Sequence, residues 1–303
     1  MARNEPRSLS GKVVAISGGA RGIGRATAAA LIAQGAHVAI GDVEGMLVKR
    51  AAQELGAGTL ALELDVTRRD SFTAFLDETE RRLGPLDVLI NNAGIMTLGP
   101  FEQERDALTS RMLEVNVGGT LIGCKLAMQR LLPRNTGHIV NVASAAGKVG
   151  LPGGVTYSAS KHAVVGLSEA IRAELAGTNV ELHLVIPAPA ATELGSGLRP
   201  LRAIKLLQPS DVAEAIVEGL RSGTPDIYVP KRLAPLLRAA PLAPRSMAST
   251  LRRAIGGDRV LAEADPLARA AYEARIATET DADPAANVAN AAASVAEAIR
   301  GEA

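Results

Sequence analysis

Tyr157 and Lys161 stand four residues apart in Tyr157-Ser158-Ala159-Ser160-Lys161, which puts a phenol and an ammonium on one face of any helix that carries them. A free phenol titrates near ~10, and a neighbouring cation favours the phenolate, so the pair can exchange a proton with an alcohol or carbonyl closer to neutral pH. Alone, this spacing is common on solvated helix faces. Upstream, Ser144 ends the apolar run His138-Ile139-Val140-Asn141-Val142-Ala143, and Asn116 sits in Glu114-Val115-Asn116-Val117-Gly118-Gly119. A general acid, an orienting donor and a charge partner in one set point to proton transfer at a bound oxygen.

A second group of residues has the types that hold a dinucleotide. Ser17-Gly18-Gly19-Ala20-Arg21-Gly22-Ile23-Gly24 follows a strand-length run, Val13-Val14-Ala15-Ile16, and opens a helical stretch of about 22–34. Glycine lets the backbone approach a pyrophosphate, and a helix amino terminus adds unsatisfied amides and a partial positive charge. Asp42 follows the next run, His37-Val38-Ala39-Ile40, where a carboxylate would accept hydrogen bonds from adenosine ribose hydroxyls. Its charge would repel a ribose phosphate, which favours NAD over NADP. Arg21 is a counterweight, since a basic residue in the glycine turn could meet an extra phosphate.

These groups need a scaffold, and the pattern of the chain supplies one. Strand-length apolar runs recur at about 60–64, 88–90, 139–142, 181–186 and 227–229, and helical stretches separate nearly all of them. Parallel strands require crossovers and covered faces, so the expected fold is α/β, a Rossmann-type doubly wound parallel sheet that binds its ligand at the carboxyl ends of the strands.

With Asn91-Asn92-Ala93-Gly94, these motifs resemble the short-chain dehydrogenase/reductase family over about residues 9–230, read as one NAD(P)-binding catalytic domain. The resemblance implies reversible hydride transfer between a nicotinamide and a carbon bearing an alcohol or carbonyl oxygen. It implies that Tyr157 moves the proton and that Ser144 bonds the substrate oxygen. Lys161 would depress the phenol and hold the nicotinamide ribose, and Asn116 would position a water leading from Lys161 to solvent. Asp65 and Val66 would flank the adenine, with Asn92, Ala93 and Gly94 lining the cleft, although Asp65 could equally cap a helix from about Thr67 and Asn92 could brace strands. Ser17 replaces the family's usual threonine and keeps a hydroxyl. In Pro187-Ala188-Pro189-Ala190-Ala191-Thr192, Thr192 would hold the carboxamide, while Ala188 replaces a glycine and brings a β-carbon that positive φ would penalise.

Candidate substrate residues are apolar: Ile95 and Met96, Ala145 and Ala146, and Leu151, Pro152 and Val155. Lys148 is the cation nearby. A hydrophobic secondary alcohol or ketone, steroid-, lipid- or terpenoid-like, fits better than a sugar acid. The alternatives are an NADPH-dependent reductase of ketones or 3-oxoacyl thioesters and, from another class, a nucleotide-binding scaffold without catalysis.

Composition agrees with a cytoplasmic enzyme. The 303 residues are 47% hydrophobic, enough for a large core, and a net charge of +1 with 2% aromatic content argues against nucleic acid. One cysteine, Cys124, excludes an internal disulfide framework and a cysteine zinc cluster. The first residues lack a secretory apolar core, and no apolar run reaches the ~20 residues that span a bilayer. Residues 231–277 read as a basic and apolar helical extension. Its stretch 231–256 could touch a membrane surface, but prolines at 235, 241 and 244 favour packing on the catalytic domain or a partner subunit. Residues 278–303 read as an alanine-rich, flexible tail. Helices at about 105–132 and 156–176 carry small and apolar residues suited to a shared bundle, and the family's equivalents form homodimers or homotetramers.

Overall fold

β-branched and aliphatic runs pair into one parallel sheet in the order β3-β2-β1-β4-β5-β6-β7. The computed structural model describes residues 6–201, 205–239, 253 and 256–281. Its strands are β1 (Val13–Ser17), β2 (His37–Asp42), β3 (Leu60–Glu63), β4 (Val88–Asn91), β5 (Gly137–Val142), β6 (Val180–Pro187) and β7 (Asp226–Val229). The order reverses between β1 and β4, so a crevice opens beyond their carboxyl ends, at Ser17 and Asn91.

Consecutive strand residues serve opposite faces, and the core divides accordingly. Ile16 and Ile40 point into a layer with Ala28 and Leu31 of α1 (Gly22–Ile32), Val48 of α2 (Gly45–Leu55) and Val212 and Ile216 of α7 (Pro209–Ser222). Ala15 and Leu89 point the other way, onto Phe72, Phe75 and Leu76 of α3 (Arg69–Leu83) and Cys124, Leu126 and Leu131 of α5 (Gly119–Leu131). Each fully buried Phe or Leu contributes ~1.5–3 kcal/mol, which makes these two layers the principal stabilisers of the sheet. Burial pushes the Cys124 thiol up to about 11, as suits an unreactive core residue.

Two features differ from the expected elements. The helix expected over about 105–132 is α4 (Asp106–Leu113) joined to α5 by a π turn, Glu114–Gly118, centred on Asn116. Inserting one wide turn re-aims a side chain without ending the helix. The extension beyond residue 230 packs on the catalytic face as α8 (Ala234–Ala239), α9 (Gly257–Val260) and α10 (Pro266–Asp281). The tail expected from 278 begins inside α10, and its remainder, 282–303, lies outside the described residues, as does most of 240–255, part of the stretch 231–256 that could touch a membrane surface. Among the described residues no helix is long and apolar enough to cross a membrane.

At the opposite end of the sheet, His138 of β5 and His183 of β6 approach to 3.1 Å between Nδ1 and Nε2. His183 Nδ1 lies 2.8 Å from the Thr224 carbonyl, so it must donate there, leaving Nε2 to accept from His138. Burial holds both imidazoles neutral, with His138 pushed down to about 4. Arg7 and Glu181, paired at 2.6 Å, stand beside them.

Candidate active site

The glycine turn is built by close packing. A Cβ on Gly18 would lie 2.8 Å from the Ala93 Cα, and one on Gly19 would lie 2.6 Å from the Ile40 Cβ. Gly18 and Gly22 also hold φ of 64° and 53°, where a side chain is strained. α1 starts at Gly22 with no side-chain cap, so its first amides remain for an anion. This uncapped helix end and the glycine cradle fit a dinucleotide.

Two residues expected at the cofactor lie off the cleft and make structural contacts. Ser17 Oγ accepts from the amides of Asn92 and Ala93 at 3.1 and 3.2 Å, tying β1 to β4, and the hydroxyl does not line the cleft. Gly24 also stays out of the cleft: a Cβ there would lie 2.1 Å from the Gly18 carbonyl oxygen, so its bareness serves helix-to-turn packing. Asn92 does both jobs, lining the cleft while donating to the Ser17 and Gly18 carbonyls.

Gly18, Arg21, Gly22, Ile23, Asp42, Asp65 and Val66 line the nucleotide half of one continuous cleft, followed by Asn92, Ala93 and Gly94. Burial pushes the Asp42 carboxyl up, opposed by the amides of Ala20 and Glu44 and by the charge of Arg21. Asp65 also holds the local turn, accepting from the Thr67 amide at 2.9 Å and hydroxyl at 2.7 Å. Arg21, the counterweight in the glycine turn, pairs with both Glu44 and Glu193.

The far half contains Ser144, Ala145, Ala146, Leu151, Tyr157, Lys161, Pro187 and Thr192. Tyr157 and Lys161 lie on α6 (Val155–Glu174), with the Lys161 Nζ 5.8 Å from the phenol ring centre. Lys161 donates to the Val142 carbonyl at 3.1 Å, and burial pushes its ammonium down to about 8. Ser144 caps a short turn, its Oγ accepting from the Ala146 amide at 3.1 Å. The expected depression of the Tyr157 phenol is not found here. Burial pushes it up, and the Ser144 hydroxyl, not Lys161, acts against that.

The π turn buries Asn116 with its amide fully engaged. Oδ1 accepts from the Ile95 amide at 2.8 Å, while Nδ2 donates to the Ile95 carbonyl and to Ser160 Oγ at 2.9 and 3.0 Å.

Three further expectations change. Val155 is 43% exposed and does not line the cleft, because it stands two positions before Tyr157 and so on the other side of α6. Ala188 avoids positive φ and donates to the Val229 carbonyl at 2.8 Å, so the anticipated strain is absent. Lys148 pairs with Glu169 at 3.1 Å and stays off the cleft.

The outer wall comes from the extension. Met96, Leu198, Val260 and Leu261 pack with Tyr157 in one apolar cluster. Tyr272 of α10 accepts from the Met96 amide at 2.9 Å, and burial pushes its phenol up to about 12. Arg269, 1% exposed, donates to the carbonyls of Leu194, Ser196 and Met96. Tyr272, Arg275, Ile276 and Glu279 line the cleft and escaped the sequence reading. Arg269, Tyr272 and Arg275 recur every three residues and so share one helix face, a periodicity that marks a packed face without saying what it packs on.

The family model for short chain dehydrogenases matches residues 12–202. The chain is similar to 2-(S)-hydroxypropyl-CoM dehydrogenase 3 of Xanthobacter autotrophicus, 35% identical over 69% of this chain and 89% of that one. It is 34% identical to a 3-alpha-(or 20-beta)-hydroxysteroid dehydrogenase of Mycobacterium tuberculosis over 61% of this chain and 72% of that one. A crystal structure of a short chain dehydrogenase/reductase from Burkholderia phymatum in complex with NAD superposes with a TM-score of 0.70 at 27% identity, covering 77% of this chain and 94% of the other.

Proposed function

The chain belongs to the short chain dehydrogenase family, oxidoreductases of alcohol and ketone groups, and we propose that this member uses NAD(H) on a hydrophobic secondary alcohol or ketone. The observation that carries the reading is one cleft with Asp42 at one end and the Tyr157, Ser144 and Lys161 side chains in an apolar chamber at the other. Bound NAD would supply hydride exchange. Gly18, Gly22, Ile23 and the free α1 amides would hold its diphosphate. Asp42 would take the adenosine ribose, and Asp65 and Val66 the adenine. Thr192, with Pro187 behind it, would meet the carboxamide.

Tyr157, protonated in its buried setting, is the acid that gives a proton to a forming alkoxide and the base that takes it back in oxidation. Ser144 Oγ orients the substrate oxygen. Lys161 provides a cation that steadies developing phenolate charge, and Asn116 fixes the Ile95 segment that walls the site. The substrate class follows from Met96, Leu151, Leu198, Val260 and Leu261, whose surfaces favour an apolar body carrying one reactive oxygen.

The NAD preference rests on Asp42 and on the engagement of Arg21 with two carboxylates. A cytoplasmic setting and a homo-oligomer remain part of the proposal, with Leu121 of α5 exposed on a surface suited to a second copy.

The test is the nicotinamide absorbance change with NAD on secondary alcohols graded by apolar size. Turnover rising with size, and abolished in Tyr157→Phe, is the expected result. Activity unchanged by that substitution sinks the mechanism.

A further inference from the structure

Four charges from distant parts of the chain close into an alternating ring. Arg21, in the glycine turn, pairs with Glu44 and with Glu193. Arg275, on α10, pairs with the same two carboxylates at 2.9 and 3.2 Å. Glu44 stands two residues past Asp42, at the nucleotide end of the cleft, and Glu193 follows Thr192, at its far end. The ring therefore spans the cleft between its two halves. Beneath it Gly22 and Thr192 lie opposite each other, close enough that a Cβ added to Gly22 would fall 3.2 Å from Thr192 Cγ2.

Thr192 and Glu193 line the cleft on one side of the ring and Arg21 and Gly22 on the other, so parting these walls means lifting the Thr192–Glu193 segment. Lifting it breaks both pairs made by Glu193. We propose that this ring, with Arg275 supplied by the carboxyl-terminal helix, is a latch over the cofactor cleft whose opening sets the rate of dinucleotide exchange. The inference rests on reading the cleft as a dinucleotide site.

Other observations give the latch a firm anchor and a reason to open. Arg269 and Tyr272 fix α10 to Met96 and to the carbonyls of Leu194 and Ser196, so Arg275 hangs from a docked helix and the lift is confined to Thr192 and Glu193. The four ring side chains are 27–41% exposed, which leaves their attraction open to screening by salt. Arg275 Nε is buried without an acceptor, and opening returns that donor to water.

The experiment is stopped-flow binding and release of NADH, followed by nicotinamide fluorescence, for wild type, Glu193→Gln and Arg275→Gln at low and high salt. A latch raises the barrier in both directions. Each substitution should accelerate association and release together, by about fivefold or more, with little change in Kd. Wild-type rates should rise with salt while the variants' rates change less. Faster release with unchanged association would make Arg275 or Glu193 an ordinary ligand contact and overturn the proposal, as would variants that match wild type. Glu193→Gln lies off α10, so agreement between the two variants separates the latch from simple loosening of that helix. Failure of wild type to bind NADH at all would overturn the dinucleotide reading itself.

Discussion

Asn116 and Lys161 face each other across Gly94. A Cβ on that glycine would lie 3.1 Å from Asn116 Oδ1 and 3.4 Å from Lys161 Nζ, so the residue is kept bare by the polar pair it separates. Gly94→Ala should push these groups apart while leaving the core intact. We expect kcat to fall ~10–100-fold with Tm within a few degrees of wild type, since small misplacements of catalytic groups carry costs of that order. Unchanged kcat would show that the spacing is not used.

Tyr157→Phe removes the proton carrier and keeps the ring in its apolar cluster. The expected loss is ~100–10,000-fold in kcat, with NADH affinity nearly preserved. Fluorescence titration beside steady-state kinetics checks both halves.

Burial places the Lys161 ammonium at about 8, below its ordinary 10.5, so it is charged below that pH and neutral above it. Reduction needs the charged form beside a protonated Tyr157. The pH profile of kcat/KM for ketone reduction should be flat on the acid side and fall above about 8. Lys161→Met should be slow throughout and lack that limb.

Asp42→Ala should relax the cofactor preference. Removing a partly buried carboxylate from the expected ribose position should raise kcat/KM with NADP relative to NAD by ~10-fold or more, equivalent to about 1.4 kcal/mol. A ratio equal to wild type would remove Asp42 from cofactor selection.

The histidine pair gives a stability prediction. His138 is held at about 4 in the fold against an ordinary 6.5, so between those values the unfolded chain binds more protons. This contribution is complete above about pH 6.5 and is lost as pH falls toward 4. The groups facing the pair, Glu181, Arg7, Lys12 and Arg172, supply one negative and three positive charges, which discourage imidazolium further. Tm should drop across this window in wild type and less in His138→Gln. Equal slopes would assign the drop to carboxylates.

The sheet, and the gathering of Ser144, Tyr157 and Lys161 on one cleft, were legible in the sequence because their signals are local. A Tyr and Lys one helical turn apart, or glycines after an apolar run, carry their meaning in spacing alone. Ser17 and Gly24 belong to the same motif yet serve the backbone, a distinction that depends on β4 packing against the turn. Val155 shows the complementary error, since a candidate near Tyr157 in sequence faces away once the helix turns. The wall formed by α10 had no such signal. Its role arises from contacts between Arg269 and Met96 and between Arg275 and Glu44, which lie 173 and 231 residues apart in sequence.

Those long separations bear on synthesis. As the chain leaves the ribosome, the sheet can complete itself at β7 while α10 is still unmade, and domains fold from the amino terminus onward. The apolar chamber around Tyr157 is then open on one side, with the Arg269 and Tyr272 anchors missing from its rim. A nascent chain halted there would carry Asn116, Ser144, Tyr157 and Lys161 without the outer wall of their chamber, which is completed when Arg269 finds the carbonyls of Leu194, Ser196 and Met96.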